Sequence, residues 1–570
     1  MVSGLVQLQT EHEGRVQVRA YVTRGDLFGD EEALAGRRRG VHAVALGDCQ
    51  LLSVPRALLR SLVDRNPRVL ERIRRVESER QELQAEVARG AVRSTEHVFH
   101  DLYRMQMARS LLAIDQDRCV RCGHCAWTCA ETHAGVARLV RRGDKIVTEL
   151  AVVNDGAKSL LLPSSCQHCH NPACMIDCPT GAIGRDPEGD VFIREALCTG
   201  CGACAKACPW DNIRMAPRSE GAGSVDVAVK CDLCKELAQP ACVSACPTEA
   251  ILRLDPQRDF AEVRALFGGE PGVGERPSRR ASLVEALPQV ALALCLGLTP
   301  AGILWHARDA LVPGRGLAYA AGILALVSCV ALGLYVVPKR FGHRFLRRRA
   351  ERPRGRLATP SPSEPTPRSA LAPHYRVHVA VGLLVLALVA LHSGGRVGHG
   401  VTAALTLVFW VSAGLGALGA LAYRVLPPVL SRLEPKGALP EDLALERELL
   451  FDRLHRATSG TSDLVKSIAE RLLVPYARAT SGPLALTLSG RSLAEERKEL
   501  RARVDRVLEG RGAGKLDGLD ALVRVVVELR ALPARRALTF ALRAVVPLHV
   551  VGTVALLVLV LLHAFQMTRW

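Results

Sequence analysis

Sixteen of the nineteen cysteines in this 570-residue chain lie between Cys119 and Cys246, and this block constrains the fold more than any other feature. The cysteines fall into four groups, and a proline follows the last cysteine in three of them. The groups are Cys119, Cys122, Cys125 and Cys129; Cys166, Cys169, Cys174 and Cys178; Cys198, Cys201, Cys204 and Cys208; and Cys231, Cys234, Cys242 and Cys246. Such tight spacing lets three thiolates wrap one face of an iron–sulfur cubane while the fourth points toward a different cluster. The block therefore predicts four [4Fe–4S] clusters in two pseudo-symmetric pairs.

Zinc and haem c are the two alternatives for these cysteines. Zinc ribbons use two C-x2-C pairs separated by a longer loop, so the additional cysteines at x2 and x3 spacing favour iron–sulfur ligation. The letters CQHCH at 166–170 also match the C-x-x-C-H signature of a c-type haem. We interpret Cys166 and Cys169 as cluster ligands, with His170 following them by accident of sequence.

The redox compartment supports the same interpretation. Residues 1–17 show no basic start, apolar core or twin arginine, so no export signal is expected. Without export, the cysteine block would lie in a reducing compartment, where disulfides are disfavoured and metal ligation is favoured. Haem c is attached on the exported side in bacteria, which counts against it here.

The three remaining cysteines are isolated and are expected to be ordinary buried thiols: Cys49, Cys295 and Cys329.

The chain alternates charged and strongly apolar segments. Hydrophobic residues make up 49% and charged residues 23%, with a mean hydropathy of +0.14, which indicates a mosaic. The net charge of +18 would suit a nucleic-acid binder, but nine basic residues lie within 339–356, directly after an apolar run. The cytoplasmic flank of a membrane protein carries basic residues in this way. Because aromatic residues are only 4% of the chain and no basic patch is interleaved with them, nucleic acid is not an expected partner.

Five apolar segments follow the cysteine block, and each is about as long as the ~20 residues that cross a bilayer. They lie at roughly 286–306, 317–337, 377–393, 401–424 and 544–566. The positive-inside rule places the arginine-rich loop after the second segment in the cytoplasm. Counting crossings from that loop also places the cysteine block and the insert before the fifth segment in the cytoplasm, and the C-terminus outside. We therefore expect a multi-pass protein of the cell inner membrane with a cytoplasmic iron–sulfur domain.

These patterns predict a multidomain fold. It combines a small β-rich, jelly-roll-like N-terminal domain, an α+β ferredoxin-like domain with four clusters, and an all-α transmembrane helix bundle with a helical cytoplasmic insert. Alternating apolar runs indicate the N-terminal strands, and a helix is predicted over 56–90. The predicted segments are 1–90 for the N-terminal domain, 110–255 for the ferredoxin-like domain, 283–338 and 374–424 for two transmembrane hairpins, 339–373 for a basic and proline-rich cytoplasmic linker, 425–543 for the insert and 544–570 for the last span.

The cysteine block resembles the four-cluster electron-transfer subunits of the molybdenum reductase family, such as dimethyl sulfoxide and polysulfide reductases. The resemblance is carried by LPSSCQHCHNPACMIDCPTGAI, CTGCGACAKACPWDNIRM and KCDLCKELAQPACVSACPTEAI. It implies a larger complex and an exchange of fourth ligands between groups. The implied ligand sets are Cys119, Cys122 and Cys125 with Cys246; Cys231, Cys234 and Cys242 with Cys129; Cys166, Cys169 and Cys174 with Cys208; and Cys198, Cys201 and Cys204 with Cys178. One departure is Ala130, which stands where a proline would follow Cys129.

Two of the predicted spans carry histidines at the same spacing. His378 and His392 are fourteen residues apart in the third segment, and His549 and His563 are fourteen apart in the fifth. Fourteen helical residues return a side chain to within ~40° of its starting face, ~21 Å along the axis. Since both helices would run outward, His378 and His549 would share the cytoplasmic depth, and the other two histidines would share the outer depth. Two bis-histidine b-type haems stacked across the membrane would satisfy all four.

The alternative is that these are interfacial histidines at helix ends, where polar groups are tolerated. Ionisable residues inside spans are costly and rare, and their repetition at matched depth favours haem. The pattern resembles the respiratory cytochrome b core, in which two helices each carry a His-x13-His pair. His306 and His399 lie near the outer side and are alternative ligands or quinone contacts, although an exposed, unremarkable role is the expectation for each.

Residues 4–90 resemble the cyclic-nucleotide-binding fold of the catabolite activator type, through RGDLFGDEEALAGRRRGVHAVALGDCQLLSVPRALLRSLV. In that family a glutamate after Phe-Gly holds the ribose hydroxyl, an arginine neutralises the cyclic phosphate, and backbone amides of a short helix complete the anion site. By this resemblance Asp30 or Glu31 takes the acidic role and Arg39 the phosphate-binding role. The departures are Arg38 in place of proline, a cassette one residue longer, and the absence of the earliest strands. These departures indicate either a wrong start of the sequence or a degenerate domain, and a non-binding scaffold or docking role is the other interpretation.

Three functions fit these features. The first, which we favour, is a membrane electron-transfer protein that links a cytoplasmic partner, four clusters and two haems, to or from quinone. The second is a redox- or nucleotide-responsive sensor, but no kinase, cyclase or DNA-binding output is recognisable. The third is a haem-free membrane anchor for the ferredoxin-like block, against which the matched histidines argue. Since no residues for substrate catalysis are visible, a partner subunit or quinone must supply or accept the electrons.

Overall fold

The structure is a computed structural model, and it describes most of the sequence. The described residues are 6–12, 15–22, 27–36, 38, 40–45, 49–66, 69, 104, 107–149, 157–186, 189–218, 226–235, 237, 239–259, 283–312, 315–342, 369–458, 463–479, 482–508 and 518–568. They fall into two compact units, of which the smaller contains the N-terminal residues and the larger contains the cysteine block, the apolar helices and the insert.

The N-terminal unit consists of a small sheet with two short helices. Its elements are β1 Val6–His12, β2 Arg15–Val22, α1 Asp30–Ala35, β3 His42–Ala45 and α2 Arg56–Arg65. The strands pair antiparallel in the order β2-β1-β3, which confirms the β-rich character that the alternating apolar residues predict. Val6 and Leu8 pack against Phe28 and Cys49, and Cys49 is half-buried rather than fully buried. The part of the predicted helix that follows residue 69 lies outside the described residues.

The cysteine block forms short strands and helices joined by loops. Its elements are β4 Leu111–Asp115, α3 His124–Thr132, β5 Val140–Glu149, β6 Ala157–Ser164, α4 Ala173–Ile176, β7 Ile183–Arg185, β8 Val191–Ile193, α5 Ala203–Ala207, β9 Arg214–Pro217, β10 Asp226–Val229, α6 Ala241–Ser244, β11 Ile251–Leu254 and α7 Pro256–Asp259. Strands β7–β8 and β9–β10 are two-stranded antiparallel sheets, and β11, β4, β6 and β5 are neighbours in a larger sheet. This mixture of small sheets and single-turn helices agrees with the predicted ferredoxin-like domain.

The larger sheet forms the core of the cysteine block. Every residue of β4 is buried, which indicates that both faces of this central strand are covered. Leu112 and Ile114 of β4 pack against Leu161 of β6, and the same core contains several of the cysteines. The apolar strands therefore hold the cysteine-bearing loops in place.

Five helices are long and apolar enough to cross a membrane. They are α8 Leu283–Ala307, α9 Gly316–Gly333 (its apolar span extends to Gly342), α10 Leu371–Ser393, α11 Val401–Leu433 and, after the insert, α17 Leu519–Thr568. Helix α10 packs mainly against α8 and α9, and α17 packs mainly against α11. Leu296, Leu407 and Val551 are exposed, as expected of side chains that face lipid.

The helices on either side of the insert extend beyond the predicted apolar segments 401–424 and 544–566. Helix α11 continues to Leu433 instead of ending at residue 424, and α17 begins at Leu519 instead of at residue 544. The last span and the end of the predicted insert are therefore one continuous helix. The hydropathy pattern changes where the charged residues begin, but a helix does not end at that point, because its backbone hydrogen bonds do not depend on the surrounding polarity.

The insert is helical, as predicted, and packs along the N-terminal half of α17. Its helices are α12 Pro440–Thr458, α13 Asp463–Ile468, a π-helical turn Ala469–Leu473, α14 Val474–Arg478, α15 Gly482–Ser489 and α16 Leu493–Val507. Its first residues also form a short strand, β12 Lys436–Gly437, which pairs with the edge of the larger sheet at β5. A Cβ atom on Gly437 would lie 2.9 Å from the Arg141 carbonyl oxygen of β5 and 2.6 Å from the Leu161 side chain, so glycine allows the two paired backbones to approach this closely.

Candidate redox sites

Each cysteine group contains the same backbone feature. The residue immediately before the second cysteine of every group adopts a left-handed conformation. These residues are Arg121 (φ 54°), His168 (φ 51°), Gly200 (φ 75°) and Leu233 (φ 54°). A bulky residue rarely adopts this conformation, so three non-glycine examples at equivalent positions show that each loop is curved by its surroundings. The four loops are thus structural repeats, as expected of four equivalent binding loops.

Cysteines from the first and last groups meet around one cavity of about 280 Å³. The cysteines that line it are Cys119, Cys122, Cys125 and Cys246. Positive φ angles at Arg121 and Gly123 curve the loop on both sides of Cys122, and α3 begins directly afterwards. The cavity therefore brings together the same four cysteines that the resemblance implied as one ligand set.

A second, smaller cavity is lined by cysteines from the second and third groups, namely Cys178, Cys198, Cys201 and Cys204. These four cysteines are another of the implied ligand sets, in which three cysteines of the third group are joined by the fourth cysteine of the second group. The exchange is possible because each fourth cysteine follows one turn of helix, α4 or α5, that directs it away from its own loop.

The remaining eight cysteines form the other two implied sets. The Cys242 thiol interacts electrostatically with Cys231, Cys234 and Cys129 of its own implied set, and also with Cys125 of the first set. The Cys174 thiol is placed in the same way beside Cys166, Cys169 and Cys208. Each of these two sets contains three thiols of one group and the fourth thiol of another.

The chemistry of these thiols fits a cluster ligand set. Burial raises the pKa of Cys122 to about 11 and that of Cys174 to about 12. Without a metal ion these thiols therefore stay protonated at neutral pH. Coordination to a metal ion would deprotonate them outright. The Arg138 backbone N–H already donates to Cys129 Sγ at 3.2 Å. Hydrogen bonds of this kind stabilise a ligand thiolate and tune the cluster potential.

A buried carboxylate joins this part of the chain to the membrane helices. Glu434, directly after α11, accepts hydrogen bonds from Arg121 at 3.0 Å and from Arg141 at 2.8 Å. Burial alone would raise the pKa of Glu434, but the charges of Arg141 and Arg121 outweigh it and lower the pKa to about 2. The ionised carboxylate therefore holds two arginines of the Cys119 cavity against the end of α11.

Two residues that follow Gly333 of α9 are close enough to Cys122 to influence it electrostatically. The side chains of Tyr335 and Lys339 interact electrostatically with Cys122. The ring of Tyr335 lies 4.6 Å from the ring of His378, centroid to centroid. On the same side, Arg376 of α10 forms a 2.7 Å ion pair with Glu249. Tyr335 is thus in ring contact with the first predicted haem histidine and interacts electrostatically with one cysteine of this set.

The four membrane histidines meet in the predicted pairs. The ring centroids of His378 and His549 are 6.4 Å apart, and those of His392 and His563 are also 6.4 Å apart. Two metal–nitrogen bonds of ~2 Å, each with the ~1 Å from nitrogen to ring centre, would separate the centroids of two imidazoles on one metal by ~6 Å. The spacing in both pairs therefore fits an ion held between the rings.

Hydrogen bonds and small neighbours orient these rings. The Nδ1 atom of His392 donates to the Ala318 carbonyl at 2.9 Å, and that of His549 donates to the Ser412 carbonyl at 3.0 Å. Such a bond leaves Nε2 free as a ligand, as in many metal-bound histidines. A Cβ atom on Gly322 would lie 2.5 Å from His392 Nδ1, so this glycine makes room for the ring.

The other outer histidines differ from one another. His399 is exposed, as expected. The expectation of exposure for His306 is wrong, because this residue is 2% exposed and its Nε2 donates to the Leu391 carbonyl at 2.9 Å. Packing of α8 against α10 closes over the ring, a tertiary contact that the sequence of one helix does not reveal. Cys295 and Cys329 are buried thiols, as predicted.

The predicted nucleotide site is only partly described. Gly29 has a φ of 72° and precedes α1, which begins at Asp30, and the Asp30 side chain is half-buried. Glu31 lies in α1, but its side chain is outside the described residues, and so is Arg39. The roles of Asp30, Glu31 and Arg39 therefore stay predictions.

Sequence reasoning missed several polar residues around the cysteine sets, namely Arg121, Arg141, Lys230, Tyr335 and Glu434. None belongs to a motif with a recognisable chemistry. The only local signal is that Arg121 and Lys230 stand next to predicted ligand cysteines, where a cation has an anionic neighbour once metal binds.

Comparisons with known proteins agree with this geometry. Residues 157–255 match the family model described as a 4Fe-4S dicluster domain, and residues 1–66 match that of a cyclic nucleotide-binding domain. The sequence is 33% identical over 147 residues to the thiosulfate reductase electron transfer subunit PhsB of Salmonella typhi, which covers 24% of this chain and 71% of that protein.

Two further relatives match over shorter parts of their own lengths. The B subunit of the anaerobic dimethyl sulfoxide reductase of Haemophilus influenzae is 37% identical over 120 residues, or 20% of this chain and 52% of that protein. The uncharacterized ferredoxin-like protein YdhX of Escherichia coli O157:H7 is 36% identical over 146 residues, or 24% of this chain, which spans 61% of that relative. With its 4Fe–4S cysteine block joined to five membrane-length helices, this protein belongs to the family of ferredoxin-like iron–sulfur proteins that includes the electron-transfer subunits of these reductases.

Proposed function

We propose that this chain is a membrane-bound electron-transfer component of an oxidoreductase complex. It would pass electrons between a cytoplasmic partner subunit, four [4Fe–4S] clusters and two b-type haems, with quinone as the redox partner in the membrane. The observation that carries the proposal is that one cavity is lined by a complete set of four cysteines and that the four membrane histidines meet in two pairs with the same ring separation.

Sixteen cysteines would hold the clusters in the four sets described above. Support comes from the two cavities, each lined by one complete set, and from the four loops with a shared backbone conformation. When bound, the clusters and haems would supply one-electron redox chemistry. The protein itself would bury the ligands, donate hydrogen bonds to their sulfurs and keep water away from them.

Four histidines would hold the haems, His378 with His549 and His392 with His563. Both pairs have the same ring separation, and both lie between helices that are not each other's principal packing partners. Among the residues that the structure describes, the Nδ1 atom of His563 is buried without a hydrogen-bond partner. Buried polar atoms are normally satisfied, so such an atom suits a site that is completed by a cofactor.

The orientation in the membrane follows from the same arrangement. The arginine-rich residues 339–356 belong on the cytoplasmic side. Since Lys339, at the start of this segment, interacts electrostatically with Cys122, the iron–sulfur region would lie on that side as well. His378 and His549 would then form the inner haem site, and His392 and His563 the outer one, in the cell inner membrane.

The proposal is tested by an optical redox titration of the detergent-purified full chain, with haem and iron counted per chain. We expect two b-type haems and about sixteen non-haem irons. Sixteen irons without haem would overturn the haem sites and leave a ferredoxin-like module on a membrane anchor. A covalently bound c-type haem would overturn the assignment of Cys166 and Cys169, together with the orientation.

The match of residues 1–66 to a cyclic nucleotide-binding domain supports a second role, in which the N-terminal unit regulates electron transfer in response to a nucleotide. Calorimetric titration of the full chain with a cyclic nucleotide tests it. Binding that is lost in Arg39→Ala would support regulation, and the absence of binding would leave the unit as a scaffold.

A further inference from the structure

Lys230 is a buried lysine between two of the cysteine sets. It follows β10, directly precedes Cys231 and is 3% exposed. Its Nζ donates to Cys166 Sγ at 3.4 Å, to the Cys231 carbonyl oxygen at 3.0 Å and to the Val191 carbonyl oxygen. One ammonium group therefore contacts a predicted ligand of one set and the backbone of a predicted ligand of another.

The charge of this ammonium group has no carboxylate partner within 4.0 Å among the residues that the structure describes. The nearby His168 ring is fully buried, and its Nδ1 accepts a hydrogen bond from the Val191 N–H at 2.8 Å. A ring that accepts through this nitrogen is not doubly protonated and offers no anion. A buried cation is costly unless a counter-charge is close to it.

Among the described groups that accept a hydrogen bond from Lys230, the one that becomes anionic on metal binding is the thiol of Cys166. Reduction of a cluster adds one electron and one unit of negative charge, while its ligand bonds and protons stay the same. A buried cation at a ligand sulfur favours the more negative state, and burial protects this interaction from screening by water and salt.

We propose that Lys230 is a positioning residue that raises the reduction potential of the cluster held by Cys166, Cys169, Cys174 and Cys208. This inference rests on the proposed function. Lys230 acts through Cys166 and supplies the positive charge that offsets the thiolates of this set. A purely structural role is the competing explanation, since the bond from Nζ to Val191 also ties β8 to the end of β10.

A matched control, Arg185 at the end of β7, contacts the loop that contains Cys166. Arg185 donates to the Cys169 carbonyl at 2.5 Å and to the His170 carbonyl at 2.9 Å. It is half-buried and donates to no sulfur in the described contacts. Removal of its charge should have little effect on the cluster, because its partners are carbonyl oxygens and its charge is accessible to water.

The experiment is a redox titration of the full chain followed by electron paramagnetic resonance, with iron content and Tm measured alongside. We expect Lys230→Met to lower the midpoint potential of one cluster and to alter only that cluster's signal. Lys230→Arg should restore the wild-type potential, and Arg185→Gln should leave every potential unchanged. Full iron content in Lys230→Met with all midpoint potentials unchanged would overturn the proposal, even if Tm fell.

Lys230→Gln provides the second test, for the case in which Lys230→Met fails to take up this cluster. Glutamine keeps a donor toward Cys166 and removes the charge, so a lowered midpoint supports the proposal and an unchanged midpoint rejects it. Failure of the proposed function is seen separately in the wild-type chain, as missing iron. Loss of the haems alone would leave the Lys230 measurement intact.

Discussion

The imidazole rings of His378 and His549 lie 6.4 Å apart and nearly perpendicular, at 86°. They belong to α10 and α17, which are separated in sequence by helix α11 and the whole insert. Fourteen residues further along each helix, His392 and His563 show the same separation at 76°. The fourteen-residue spacing has therefore become two matched sites, because the two helices run parallel and in register.

Replacement of one histidine should affect one site only. We expect His549→Ala to remove about half of the b-type haem absorbance, because the haem that His378 and His549 would hold together would keep only one of its two protein ligands. Haem content per chain and the reduced-minus-oxidised spectrum measure the change. His399→Ala is the control, since this histidine is exposed and should leave the spectrum unchanged. Retention of all haem in His549→Ala would count against the paired sites.

A methyl group at Gly322 should disturb the outer site. Its Cβ atom would lie 2.5 Å from His392 Nδ1, so the ring must move, at a cost of ~1–3 kcal/mol. We expect Gly322→Ala to shift or remove the spectrum of one haem and to spare the other. Gly297→Ala is the matched control, because no atom lies within 4 Å of a Cβ atom built there. Equal spectra for the two variants would contradict the assigned role of Gly322.

The exchange of fourth ligands can be tested at Cys246. Since this cysteine lines the cavity of Cys119, Cys122 and Cys125, Cys246→Ser should alter the cluster of the first group and leave that of the fourth group intact. Electron paramagnetic resonance distinguishes the signals of these two clusters. Cys119→Ser should affect the same signal as Cys246→Ser. Cys295→Ser, at a buried thiol outside the block, should change no signal. Different signals lost in Cys246→Ser and Cys119→Ser would refute the exchange.

Loss of the Glu434 carboxylate should loosen the contact between the cysteine block and α11. Glu434→Gln leaves Arg121 and Arg141 buried without their counter-charge, which costs ~3–5 kcal/mol. A lowered Tm of the detergent-purified chain is the expected result. Asp442→Asn is the control, because its pair with Arg142 is partly exposed and is worth ~0.2–1 kcal/mol. A Tm decrease no larger than that of the control would contradict this role.

The same carboxylate predicts a dependence of stability on pH. The pKa of Glu434 is lowered from 4.5 to about 2 in the folded chain, so its contribution of ~3 kcal/mol is fully present above pH 4.5. It is lost as pH falls from about 4.5 toward 2, where the folded state must take up the proton. The difference in Tm between the wild type and Glu434→Gln should therefore shrink over this range. A constant difference from pH 7 to pH 3 would show that the ionised form is not what stabilises the contact.

Much of the architecture was predictable because it depends on neighbours in sequence. Each of the four groups begins with C-x2-C, and the loops at these four positions share one backbone conformation, at Arg121, His168, Gly200 and Leu233. Apolar runs of membrane length correspond to the five long helices. The depth at which His378 and His392 lie follows from the rise of a helix.

Sequence alone thus determined the kind of chemistry and the class of each region, since ligand spacing, hydropathy and helical period are properties of short segments. Tertiary structure decided which separate segments meet. It placed Lys230 at Cys166, Glu434 between two arginines, β12 at the edge of the sheet and the His306 ring beneath α10. These contacts depend on long-range packing, in which burial and charge compensation act between residues that no local pattern connects.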